Sequence, residues 1–403
     1  FSVQLFGQNK TIRGFIYDQS NGEPMAYEKI KLLKTDSTTV AGAITDLNGF
    51  FQIPKLENDN YILKVDNFKY ELETLNIDLK SKKIIFDVKF ELKILESVQE
   101  FNEVRVSAES KTKRTKIEIS KLKISKEGLE RIPSYGAEND IVGAFSVTPG
   151  VITTGDQGGQ LYVRGGTPIQ NKILLDGMTI YNPFHSIGFF SIFETELIKN
   201  VDIYTGGFES KYGGRISSIM DITYRDGNRK KFSGKVSASP FLGKLVLEGP
   251  LGKQKGESPR AGSYIFSAKK SLLDITSQSL YPNINDGNGL PFNFTDLYGK
   301  VTFSGDGGSK FSAFGFSNRD SVNYSVADLN WNASGGGINF LLVPSGSPIF
   351  IRGHVNGSNF TTTFTESEVE PRTSSIGGFD LGFDFSYFLQ KEGEINYGFN
   401  LNG

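Results

Sequence analysis

The chain has 403 residues, room for roughly two or three domains. Its 44 Lys plus Arg against 45 Asp plus Glu leave a formal net charge of −1, without the basic excess of a nucleic-acid binder. No Cys and only two His, His185 and His354, exclude disulfides and Cys nucleophiles and leave little for a multi-histidine metal centre. Abundant Gly (46), Phe (33) and Tyr (16) beside 3 Met and 1 Trp suit a mainly β protein. No apolar run reaches the roughly 18 residues of a spanning helix, but spanning strands need only about 10 alternating residues.

Residues 1–9 read either as the tail of a signal segment, cut between Gly7 and Gln8, or as a first strand. Residues 10–95 then show short strands at regular spacing, the pattern of a small β-sandwich. Within them stand Gly14-Phe15-Ile16-Tyr17-Asp18, the turn Gly22-Glu23-Pro24, then Thr45-Asp46-Leu47-Asn48-Gly49-Phe50 and Tyr61-Ile62-Leu63. In this order they resemble the carboxypeptidase-regulatory-like (transthyretin-like) domain. The resemblance implies a fold and no chemistry, and the chain lacks the His-x-x-Glu ligand spacing of a zinc carboxypeptidase.

Residues 96–131 are a Lys- and Arg-rich linker. At its start, Glu103-Val104-Arg105-Val106-Ser107-Ala108 alternates apolar and polar residues, as an isolated strand does. Such a strand either closes the preceding sandwich or is captured edge-on by a partner sheet; periodicity alone favours the first.

Residues 132–228 predict a short helix, capped by Ser134, that buries Ile141, Val142 and Phe145. A Gly-rich loop, Gly155-Asp156-Gln157-Gly158, follows, and no Gly-Lys-Ser/Thr succeeds it to make a phosphate cradle. Ser191 to Glu194 reads as a capping box opening a helix through about Asn200. The ordered motifs are Pro149-Gly150-Val151, Leu161-Tyr162-Val163-Arg164-Gly165, Leu174-Leu175-Asp176-Gly177, Ile198 to Gly206, and Tyr212-Gly213, with Arg215 close behind. Together they resemble the plug of TonB-dependent outer-membrane receptors. The resemblance turns Glu103–Ala108 into a TonB-box-like segment and gives Arg164 and Arg215 the role of pairing with hydrated wall carboxylates. Gly155–Gly158 becomes a loop at the ligand side.

From residue 229 on, about nine strands alternate strictly. Phe379, Leu381, Phe383, Phe385, Tyr387 and Leu389 fall on one face, and Asp380, Gly382, Asp384 and Ser386 on the other. Apolar outside, polar inside and aromatic ends describe an outer-membrane barrel, with Arg352 and His354 facing the lumen. Family barrels have roughly 22 strands, so the chain is expected to be the front part of a longer receptor.

The expected fold is therefore mainly β: a small sandwich, an α+β plug, then the first strands of a transmembrane antiparallel barrel. The resemblance, of the SusC-like kind with an N-terminal extension, implies energy-coupled import of a ligand across the outer membrane, gated by a plug pulled through TonB. It implies TonB with its inner-membrane energising complex, outer-membrane lipid, an unnamed small ligand or oligomer, and a SusD-like surface lipoprotein as partners, with the N-terminal domain in the periplasm. The alternative is the same fold serving as a structural subunit of an outer-membrane secretion or assembly complex. No cofactor, metal, nucleic acid or enzymatic activity is expected.

Overall fold

In a computed structural model of the chain, the described residues are 10–65, 67, 70–71, 73–81, 83–93, 121–124, 140–146, 148–154, 160–185, 188, 190–253, 261–305, 307–324, 326–389 and 393–403. The TonB-box-like segment, Ser134 and the Gly155–Gly158 loop lie outside them.

The first unit is a two-sheet sandwich. Strands β1 (Lys10–Asp18), β4 (Phe50–Leu56) and β7 (Ile85–Leu92) form one sheet in the order β4-β1-β7. Strands β2 (Lys29–Lys34), β3 (Thr39–Ile44), β5 (Asn60–Val65) and β6 (Thr74–Asp78) form the other, ordered β3-β2-β5-β6. Ile12, Ile16, Leu32, Phe51, Ile53 and Leu63 meet between the sheets. The motif turn works as its residues predict. The Asp46 carboxylate accepts the Asn48 and Phe50 amides at 2.8 and 2.9 Å, and Gly49 takes φ 73°. A Cβ on Gly49 would stand 2.5 Å from the Ile16 carbonyl oxygen.

The second unit is the plug. Its sheet runs β12-β11-β14-β13-β8, from β8 (Lys121–Ile124), β11 (Asn171–Leu175), β12 (Met178–Ile180), β13 (Ile198–Tyr204) and β14 (Ser218–Tyr224). A separate hairpin pairs β9 (Val151–Thr154) with β10 (Gln160–Val163). Helix α1 (Ile141–Ser146) buries Ile141, Val142 and Phe145 as its spacing predicts. The Asp140 carboxylate accepts the Gly143 amide at 2.8 Å, in the place of an N-cap.

One expectation fails. The segment after Ser191 is not a helix: Glu194 caps a single 3₁₀ turn, Thr195–Leu197, and β13 starts at Ile198. Ile198, Val201 and Ile203 are buried between neighbouring strands, and that burial outweighs the local capping signal.

The third unit is a nine-stranded antiparallel sheet in sequence order. It comprises β15 (Ser233–Ala238), β16 (Leu242–Leu251), β17 (Gly262–Ser271), β18 (Phe292–Ser304), β19 (Lys310–Asn323), β20 (Ala327–Leu342), β21 (Ile349–Glu366), β22 (Arg372–Phe388) and β23 (Glu394–Asn402). Helix α2 (Leu273–Leu280) lies in the β17–β18 connection. The alternation is inverted relative to a soluble sheet. On β18 and β19, Asp296, Lys300, Thr302, Ser312, Asn318 and Asp320 are buried, while Phe303 and Phe311 are 47% and 44% exposed. Phe379 and Phe399, further along, are more than half exposed. Polar residues turned in against the plug and aromatics turned out suit a sheet with lipid on its outer side. Among the described residues no helix is long and apolar enough to cross a membrane.

Candidate functional site: the plug–wall interface

The plug meets the inner face of the sheet through charged pairs set beside apolar contacts, with Val246, Ile265, Phe314 and Phe316 of the wall clustered with Met178, Phe184 and Phe193 of the plug. The β11–β12 turn is made by Asp176 and Gly177, at φ 49° and 86°, between the paired residues Leu175 and Met178. Two positive φ values in a two-residue connection are the type I′ hairpin geometry, which Asp-Gly adopts readily. The turn carries the Asp176 carboxylate into the wall. Tyr298 donates its hydroxyl to Asp176 Oδ2, and Lys300 Nζ stands 3.3 Å from Oδ1. The Tyr224 amide donates to Oδ1 at 3.2 Å, and Asn339 Nδ2 donates to the Asp176 carbonyl at 2.7 Å. Asp176, Tyr298 and Lys300 are all buried.

Around this point the charges alternate between plug and wall. Lys300 Nζ also stands 3.5 Å from Asp226, which pairs with Lys310 of β19 and accepts the Thr302 hydroxyl at 2.9 Å. Asp226 lies in the crossover from plug to barrel. Its carboxyl sits well below the ordinary carboxylate range: burial opposes ionisation, and Lys310, Lys300 and Lys199 overcome it. Lys199 of β13 is lowered to about 8 by burial and by the neighbouring Lys310. Glu194 takes Lys244 of β16 at 2.9 Å.

A second cluster centres on His185, in the loop after β12. The imidazole is fully buried, with Nε2 3.0 Å from Asp296 Oδ2 and Nδ1 3.0 Å from Asp320 Oδ2. Its ring stacks on Phe294 at 3.6 Å between centroids. Lys269 of β17 stands 3.2 Å from Asp296 and donates to the Ser191 carbonyl at 2.8 Å. Burial disfavours the imidazolium, yet the two carboxylates hold the His185 pKa above its ordinary value. One plug side chain is thereby bolted to two adjacent wall strands.

The residues singled out by sequence fall into different places. Asp176 and Gly177 are at the wall. Arg164 and Gly165, at φ 48° and 82°, form the β10 turn, and Arg164 donates its backbone amide to the Gly150 carbonyl at 2.8 Å. Both Arg164 and Arg215 are exposed, and Arg215 donates to the Gly214 carbonyl at 2.8 Å. Tyr212 is buried and donates to Asp221 at 2.8 Å. The Gly213 carbonyl accepts from Lys172 at 3.2 Å. Arg352 donates to Ser386, and His354 pairs with Asp380 on the inward face of β21 and β22. His185 had no role in the sequence reading. Its partners lie 111 and 135 residues away, so no local pattern announces the cluster. The one available signal is a lone carboxylate on the inward face of each of two barrel strands.

Comparison with known proteins agrees with this architecture. The family model described as TonB-dependent receptor plug domain matches residues 118–218, and that of the carboxypeptidase regulatory-like domain matches residues 11–93. The TonB-dependent transporter Oar of Myxococcus xanthus is 23% identical over 254 residues, covering 61% of this chain and 23% of Oar. Among solved structures, the siderophore receptor PirA of Acinetobacter baumannii aligns over 74% of this chain and 49% of its own, with a TM-score of 0.51 and 14% identity. The hemophore receptor HasR of Serratia marcescens aligns over 70% and 44%, with a TM-score of 0.53 and 13% identity. The FrpB iron transporter of Neisseria meningitidis aligns over 70% and 47%, with a TM-score of 0.52 and 15% identity. These structures share the fold, and the chain spans about half of their length or less and about a quarter of Oar's. Residues 11–93 and 118–218 thus belong, in that order, to the carboxypeptidase regulatory-like and TonB-dependent receptor plug domain families, and the sheet wrapped on the plug has the fold of these solved receptors.

Proposed function

We propose that this chain supplies the gate of an energy-coupled importer of the outer membrane. The observation that supports this reading is the chemistry of the plug–wall interface. Ion pairs and hydrogen bonds at Asp176, Asp226, Glu194 and His185 stand beside an apolar cluster that Met178, Phe184 and Phe193 share with Val246, Ile265, Phe314 and Phe316 of the wall. Each such pair recovers hydration when the plug shifts, which offsets part of the cost of opening the interface.

In this reading Glu103–Ala108 pairs as an added strand with TonB on the periplasmic side, where the sandwich also lies. Traction then passes to β8, the strand that follows the linker and the edge of the plug sheet. In this reading the loop Gly155–Gly158, which joins β9 to β10, faces the incoming ligand, while Arg164 lies at the other end of that hairpin, beside Gly150. A surface lipoprotein of the SusD-like kind is a compatible partner above the barrel.

Replacing both Val104 and Val106 by Pro removes the amides an added strand needs. Cells carrying that variant of the full-length receptor are expected to lose accumulation of one member of a panel of ferric siderophores, cobalamin, labelled oligosaccharides and labelled peptides. Receptor abundance in the outer membrane should stay constant. Unchanged accumulation across the panel, with altered co-purifying proteins, would instead support the structural-subunit role.

A further inference from the structure

Strand β1 is buried along eight consecutive residues, Lys10 to Tyr17. One face of a sandwich strand needs no such protection. Ile12 and Ile16 enter the core between the two sheets. The alternate residues Phe15 and Tyr17, with Phe50 of β4, instead form a separate cluster with Leu341, Val343 and Phe350 at one end of the barrel sheet. Phe50 meets Phe350 edge-on at 4.3 Å between centroids and Phe388 at 5.5 Å. Phe15 lies so close to the β18–β19 turn that a Cβ on Gly308 would stand 2.1 Å from its ring.

Polar groups fix the same contact. Arg13, two residues before Phe15 on β1, is 2% exposed and pairs with Asp87 of β7 at 2.5 Å. Its guanidinium also donates to the carbonyls of Ser347 and of Pro344, the latter at 2.8 Å, while the Gly346 amide donates to Asp87 at 3.2 Å. The pair therefore grips the β20–β21 turn by both its carbonyls and its amide. The sandwich turn at residues 21–23 meets the plug-to-barrel crossover. There the Arg229 amide donates to the Asn21 carbonyl at 2.9 Å, and Arg225 stands 3.7 Å from Glu23.

From this geometry we infer that the sandwich is a fixed anchor on the barrel rim, and that traction on the linker is therefore delivered to β8 of the plug while the sandwich stays seated. The inference about force rests on the TonB reading above; the docking does not. The linker runs from β7, seated on the rim, to β8, a strand of four residues at the sheet edge. β8 is held by its ladder to β13, by Lys121 at 3.2 Å from Asp202 and 5.0 Å over the Tyr204 ring, by buried Ile124, and by Lys123 at 5.4 Å over the Tyr27 ring of the sandwich. The sandwich is held by an aromatic cluster and a buried guanidinium. A pull on a segment tied at both ends releases the weaker tie first.

These 403 residues hold no Cys, and any Cys elsewhere in the full-length receptor is first replaced by Ser. In the full-length receptor, a site-specific protease sequence is inserted between residues 96 and 102 and isolated outer membranes are cut. The sandwich fragment is expected to sediment with the membranes. It should pass to the supernatant in Arg13→Glu and in Phe388→Asp, the latter placed on the barrel so that the sandwich itself is unaltered. Release of the unmodified fragment on cutting overturns the anchor, whether or not the variants fold.

For the force, Ile124→Cys is labelled with fluorescein maleimide in cells, energised or treated with a protonophore. The comparison is repeated with the sandwich locked to the rim by an Asp87→Cys, Ser347→Cys disulfide. Energised labelling is expected to exceed de-energised labelling severalfold and to survive the lock. Loss under the lock, while labelling still depends on Val104 and Val106, shows that the sandwich travels and overturns the inference. Labelling that ignores the Val104→Pro, Val106→Pro change removes the TonB reading instead, and with it the assignment of force to β8, leaving the sedimentation result to decide the docking alone.

Discussion

Two bodies press on the same nine-stranded sheet, and they do so with a different balance of polar and apolar contacts. The plug meets its inner face through Asp176, Asp226, Glu194 and His185, each facing a wall residue of complementary charge or hydrogen-bonding capacity. The sandwich meets its rim through Phe15, Tyr17 and Phe50 against Leu341, Val343 and Phe350. Burial of apolar area is lost in full when such a contact opens, whereas ion pairs exchange one set of partners for water. The difference is that the ion pairs of the plug are concentrated on the sheet's inner face, while the sandwich meets the rim mainly through aromatic rings.

The comparison breaks first at Asp176. Asp176→Asn keeps a residue that tolerates positive φ but strips the charge from beside Lys300. Lys300 keeps Asp226 at 3.5 Å, and the loss of the Asp176 charge is expected to destabilise the plug by about 3 kcal/mol, read as a lower denaturant midpoint for plug unfolding in the full-length receptor. Phe50→Ala should weaken the sandwich–rim contact by about 3 kcal/mol, seen as loss of the cut sandwich from membranes, with little change in plug stability. A plug equally weakened by Phe50→Ala would erase the distinction between the two interfaces.

His185 gives a smaller, pH-dependent effect of about 1–2 kcal/mol. Its pKa is raised in the folded protein, so its stabilising contribution is complete below the ordinary imidazole value of about 6.5. The contribution fades as pH rises through the raised value, where Asp296 and Asp320 lose their cation and Lys269 remains beside Asp296. Amide exchange around residues 181–185, corrected for its intrinsic pH dependence, is expected to quicken across that window and to show no such step in His185→Gln. The exposed Arg372–Glu366 pair on β21 and β22 is the control, and Arg372→Ala should change stability by no more than about 1 kcal/mol.

Local and periodic features were legible in the sequence. Asp176-Gly177 announced its turn, strict alternation announced the nine strands, and the Asp46–Gly49 turn announced the sandwich. Long-range pairing was not legible. Arg13 sits in a strand whose neighbours read as ordinary core, and its carbonyl partners lie more than 300 residues away. The capping box at Ser191 misled over residues 195–200, where the structure has one 3₁₀ turn and the start of β13, a strand whose later residues from Val201 the alternation does announce. The linker motif rests on resemblance alone, because its residues lie outside those described.

The most direct measurement is a single-molecule pull on the full-length receptor in its membrane through a handle placed at Glu103. The account predicts that the first rupture releases chain from residue 121 onward, as β8 leaves β13 and the plug begins to yield, with the sandwich still seated. A first rupture that instead lifts residues 10–92 off the rim while the plug stays intact would contradict it.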